Sequence, residues 1–60
     1  MTVGDLVLVH LNWRLGTPGS RTGIIIEESF IFNDGWRVLV EGYGITDFPE
    51  HDIELINESR

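Results

Sequence analysis

WRVLVE, residues 36–41, is the stretch that decides the fold, because its side chains alternate between two faces. Trp36, Val38 and Val40 point one way, which we expect to be toward the core, and the three residues between and after them point the other. A period of two is typical of a β-strand with one buried face. Turn signals flank the stretch: NDG at 33–35, whose residues tolerate or adopt a positive φ, and GYG at 42–44. The pattern predicts a strand between two hairpin connections.

The rest of the chain repeats this design, with short apolar runs separated by turn residues about every eight to twelve positions. Pro49 has a fixed backbone φ angle and no backbone N–H to donate to a strand ladder, which predicts a single 3₁₀ turn at 49–52. The loop at 12–21 has no regular period, and no segment has room for a full helix. We therefore predict an all-β fold of one domain over residues 1–60. Its other strands are expected at 5–11, 22–28, 45–48 and 53–56.

The order of these elements resembles that of the SH3-like small β-barrels, which include KOW and Tudor-type domains. The resemblance covers nearly the whole chain and rests on VGDLV at 3–7, TGII at 22–25, WRVLVE at 36–41 and FPEHDIELI at 48–56. It implies a five-stranded barrel with a 3₁₀ turn before the last strand. The pattern is also similar to that of short phage and marine microbial proteins. The chain has a single tyrosine, whereas SH3 domains that bind proline-rich peptides present several.

The charge of the chain argues against nucleic acid as its partner. The formal net charge is −6, lysine is absent, and residues 41–60 carry six acidic residues against Arg60 alone. Because Lys and Arg contacts with phosphate supply most non-specific affinity for nucleic acid, a protein partner is favoured. Residues 1–11 have no basic start and the longest apolar run is only 6–9. We therefore expect no signal peptide, no membrane span, and a cytoplasmic or virion-associated protein.

Nothing in the sequence predicts catalysis, a cofactor or a small-molecule substrate. The chain has no cysteine or lysine nucleophile, and its serines show no partnership with His and Asp. His51 lies among Asp47, Glu50, Asp52 and Glu54, but residues adjacent on a tight turn point in different directions. We interpret this segment as a solvated acidic turn and expect no metal.

Two groups of residues are candidates for binding a partner. From residue 6 to residue 26 there is no acidic side chain, and His10, Trp13, Arg14 and Arg21 are gathered there. Trp and Arg are enriched in interface hot spots, although Trp13 folding back over the core is an equal alternative. The second group is the outward apolar set Leu6, Leu8 and Leu39, which favours self-association or docking.

These features predict a non-catalytic interaction module that binds protein. The partner is either another copy of the chain or a component of a larger assembly. The alternative is a nucleic-acid-associated KOW-like barrel that uses the loop of Arg14 and Arg21.

Overall fold

A computed structural model describes residues 1–12, 16 and 18–56 of the protein. These residues form five antiparallel strands in one sheet. A 3₁₀ turn, Glu50–Asp52, connects the last two strands, and the described residues contain no α-helix. The all-β prediction is confirmed. The strands are β1 (Leu6–His10), β2 (Ser20–Glu28), β3 (Gly35–Val40), β4 (Gly44–Pro49) and β5 (Ile53–Leu55).

None of the helical structure in the described ranges has the length and apolar character needed to cross a membrane.

The strands follow the order β4-β3-β2-β1-β5. The first four form a meander, and β5 returns to pair with β1 at the opposite edge from β4. Strand pairing therefore leaves β4 and β5 as edges. The predicted closure of the sheet into a barrel is not present in this hydrogen-bonding pattern.

Most strand bounds lie within a residue of those predicted, but β2 begins two residues early. It starts at Ser20, which pairs with His10, so Arg21 belongs to a strand and not to the first loop as predicted. The backbone N–H of Leu11 donates to the carbonyl of Gly19 at 2.9 Å and extends this pairing past the end of β1. Trp13 and Arg14 lie outside the described residues.

An irregularity in β2 sets which residues face which side. Ile25 pairs with Val38 and Glu27 pairs with Arg37, so Ile26 is an extra residue without a partner in the ladder. Such a bulge bends a strand and reverses its alternation. If Ile26 were instead paired in a regular ladder, Glu27 would share the inner face with Ile25. Because Ile26 is left out of the ladder, Glu27 faces outward beside Arg37.

The core lies on one face of the sheet. Trp36, predicted to be a core residue, is only half-buried and packs against the margin of this core, together with Met1. The predicted inward direction of Val38 and Val40 is confirmed. The buried core residues are Val7, Val9, Leu11, Ile25, Val38, Val40, Phe48 and Ile53.

The two predicted turns form for different reasons. Gly42 and Gly44 have φ angles of 85° and 87°, which is the conformation expected of glycine in a tight hairpin. Gly35 has no positive φ, so the predicted reason for it is wrong. A Cβ there would lie 2.6 Å from both the Phe32 Cβ and the Phe48 carbonyl oxygen. Close packing therefore requires this glycine, within a six-residue connection at 29–34.

Candidate interaction surface

A line of aliphatic side chains crosses the outer face of the sheet. Leu6 pairs with Ile24, Ile24 with Leu39, and Leu39 with Ile45, so one side chain stands on each of four adjacent strands. Residues directly opposite in a ladder project on the same face. Beyond β5, the N–H of Ile56 donates to the Leu6 carbonyl at 3.1 Å and adds a fifth member. We call Ile56, Leu6, Ile24, Leu39 and Ile45 the outer apolar row.

All five members of the outer apolar row are exposed. Their exposed fractions run from 38% at Ile56 to 59% at Ile45. Single exposed aliphatic residues are ordinary on protein surfaces, whereas a contiguous line of them is a candidate for an interaction surface. The row also borders a depression of about 270 Å³. The residues that line this depression are Leu6, Thr22, Gly23, Ile24, Leu39 and Glu41.

Carboxylates flank the outer apolar row on both sides. On one side Glu54 and Glu41 are exposed, and Glu41 accepts a hydrogen bond from the Thr22 hydroxyl at 3.4 Å. On the other side Arg37 is held between two acids: its Nη1 lies 3.2 Å from Glu27 Oε2 and its Nε lies 3.3 Å from Asp47 Oδ1. The rim thus carries four carboxylates against one guanidinium, and its net charge is negative.

Leu8 and His10, both predicted contact residues, lie on the same face as Leu6 because they follow it at intervals of two. Leu8 is half-buried, opposite Thr22 and Glu54. His10 shares a hydrogen bond of 3.1 Å with the Ser20 hydroxyl, and its Nε2 lies 3.4 Å from Glu54 Oε1. Leu8 thus extends the apolar surface by one residue along β1, and His10 continues the outer face beyond it.

Arg21 does not join this surface. It pairs with the buried Val9, so its side chain leaves the sheet on the inner side, at the end of the strand. There its guanidinium lies 5.5 Å from the centre of the Tyr43 ring. The predicted cluster of His10 with Arg21 is therefore divided between two faces, and its other members, Trp13 and Arg14, lie outside the described residues.

Sequence reasoning predicted Leu6 and Leu39 but missed Ile24, Ile45 and Ile56. The isoleucine run at 24–26 indicates apolar residues on both faces of a strand, and this signal was visible. That three more residues align with Leu6 and Leu39 depends on register, which a single strand's alternation does not specify.

A second, polar cleft of about 180 Å³ lies where the β2–β3 connection meets the 3₁₀ turn. Trp36 is its aromatic member, and the Glu50 N–H donates to the Asp34 carbonyl at 2.9 Å beside it. Its lining residues are Glu28, Asn33, Asp34, Gly35, Trp36 and Glu50.

No three of the described His, Asp and Glu residues converge into a group able to hold a metal ion.

Comparison with protein-family models, with curated protein sequences and with solved structures finds no match to this chain.

Proposed function

We propose that this chain is a non-catalytic interaction module that binds protein through the outer apolar row. The observation that supports the proposal is the alignment of Leu6, Ile24, Leu39 and Ile45 on four neighbouring strands, each about half exposed. Burial of apolar surface drives most protein association, and the row offers apolar surface on four adjacent strands.

We further propose that the fold is an SH3-like small barrel. Three features support it: the strand order, the nine-residue β2 that pairs with both β1 and β3, and the 3₁₀ turn directly before β5. The bulge at Ile26 supplies the bend that a barrel of this kind needs in its longest strand. An experimental structure in which the sheet stays flat, with β4 and β5 far apart, would refute this assignment.

The nucleic-acid alternative has less support. Of the arginines in the described ranges, Arg21 stacks near Tyr43 on the inner side and Arg37 lies between two carboxylates. We expect neither duplex DNA nor single-stranded RNA to bind at physiological salt. A fluorescence anisotropy titration that gives a micromolar dissociation constant for either would favour the alternative.

A competing explanation of the outer apolar row is that it only stabilises the sheet through cross-strand pairs, each worth about 0.2–1 kcal/mol. The two roles are separated by the double substitution Ile24→Thr with Leu39→Thr, since threonine keeps a high strand propensity but removes apolar surface. If the row is a binding surface, wild-type protein associates weakly with itself at high concentration and the double variant stays monomeric. In that case the thermal unfolding midpoint of the double variant should be close to that of wild type.

Sedimentation velocity and circular dichroism provide these measurements. Ile31→Thr is the matched control, because Ile31 is exposed in the β2–β3 connection and lies off the row. It should leave association unchanged. A wild-type protein that is monomeric at every concentration, with a double variant that is strongly destabilised, would assign the row to the sheet's own stability.

A further inference from the structure

We infer that the outer apolar row binds a basic amphipathic α-helix of a partner protein, lying across the strands. This inference rests on the proposed function and adds the chemistry of the partner. Its first support is width. On β2 and β3 the apolar surface is one residue wide along the strand, because Thr22 and Glu41 border it on one side and Arg37 with its acids borders it on the other; only on β1 does a second aliphatic residue, Leu8, widen it. A narrow stripe fits the narrow apolar face of a helix better than the flat face of a second sheet.

The spacing of the row matches that of a helix. Neighbouring strands are about 4.8 Å apart, so five side chains span about 19 Å. A helix covers that length with about 13 residues. Its side chains at i and i+4 have Cβ atoms about 5–6 Å apart, close to the strand spacing. In an extended segment the alternate side chains are about 6.7 Å apart and soon lose register with the row.

The depression beside Ile24 provides a place for one large anchor of such a helix. It lies where the row meets Thr22 and Glu41, and its volume is about 270 Å³. Anchors that fill pockets near the centre of an interface contribute most of its binding energy. Ile24 stands on β2, the central strand of the sheet.

Charge decides between this helix and a second copy of the chain. The rim holds Glu27, Asp47, Glu41 and Glu54 against Arg37, so lysine or arginine beside the helix's apolar stripe would be attracted. Two copies, each with a net charge of −6, would repel. Association of the chain with itself should therefore be weak and confined to high concentration, while a helix of opposite charge should bind more tightly.

The test uses a synthetic 16-residue peptide with leucines spaced three and four apart, lysines beside them, alanines elsewhere and blocked termini. We expect it to bind ¹⁵N-labelled protein at low salt, with the largest amide shifts at the row. Ile24→Thr with Leu39→Thr should weaken binding about tenfold or more, and Ile31→Thr should leave it unchanged. Ile45→Thr, on the edge strand, is a milder second variant if the double variant does not fold.

Two further peptides test the two halves of the inference. A scrambled peptide of the same composition lacks the stripe, and a peptide with glutamate for lysine lacks the charge; both should bind at least about tenfold more weakly. Equal binding of either one overturns the inference. If the designed peptide does not bind but self-association still depends on the row, the inference fails and the proposed function stands. If neither occurs, both fail.

Discussion

At the scale of single residues, glycine is required in this chain for two different reasons. Gly23 lies on the inner face between Val7 and Val40, and a Cβ there would be 2.5 Å from Val38 Cγ1 and 2.9 Å from the Leu39 carbonyl oxygen. Gly42 has open space around it but a φ of 85°. Volume limits the first position and backbone conformation limits the second.

The two glycines should therefore respond in opposite ways to asparagine. At Gly42, Asn tolerates the left-handed region, so Gly42→Asn should be more stable than Gly42→Ala. At Gly23 the larger side chain overpacks further, so Gly23→Asn should be less stable than Gly23→Ala, which itself should cost about 1–3 kcal/mol. Urea denaturation midpoints measure all four variants. The same ranking at both positions would contradict this explanation.

The aromatic residues should also divide by burial. Phe48 is fully buried, so Phe48→Ala should cost about 3–5 kcal/mol and unfold a domain of this size. Trp36→Ala should cost less, because Trp36 is half-buried at the core margin.

The sequence predicts that Trp13→Ala leaves the denaturation midpoint almost unchanged and weakens association. A loss of stability at Trp13 equal to that at Trp36 would instead make Trp13 a cap of the core.

At the scale of elements, the bulge in β2 determines where charge and apolar surface lie. Ile24 and Glu27 both face outward although they are three residues apart, which regular alternation does not allow. The unpaired Ile26 makes this arrangement possible. Glu27 then reaches Arg37 at 3.2 Å, and the acidic rim beside the outer apolar row is formed.

Deletion of Ile26 tests the bend that the bulge introduces. Without the extra residue, Ile25 stays opposite Val38 and Glu27 stays opposite Arg37 in a regular ladder, so both side chains keep their faces and the protein should still fold. Ile26→Ala keeps the bulge and removes only a half-buried side chain, so it should be less damaging than the deletion, which also removes the bend. Thermal unfolding followed by circular dichroism compares the two. Equal midpoints would show that the bend in β2 contributes nothing to stability.

At the scale of the whole molecule, net charge should separate the two kinds of association. Repulsion between copies of charge −6 is screened by salt, so self-association should strengthen between about 0.05 M and about 0.5 M NaCl. Binding of the lysine-rich helix should weaken over the same range, since that attraction is screened too. Sedimentation and peptide anisotropy measure the two trends. Self-association that weakens with salt would indicate contacts between opposite charges and not between apolar rows.

The sequence by itself determined the strands, because alternation and turn residues are local properties. WRVLVE predicts β3 and its two faces whatever it pairs with, and Gly42 and Gly44 predict their hairpin from conformation alone. The acidic balance, and with it the low expectation for nucleic acid, is likewise a property of composition. Leu6 and Leu39 were predicted to point outward on the same grounds.

Only the tertiary structure decided which of these residues meet. Register aligns Ile24 and Ile45 with Leu6 and Leu39, the bulge moves Glu27 to the outer face, and strand pairing separates Arg21 from His10. Gly35 is required by Phe32 and Phe48, which are distant from each other in the chain. The physical reason is common to all of these. A strand's own sequence determines how its side chains alternate, but the strands and side chains packed against it determine which residues stand opposite each other.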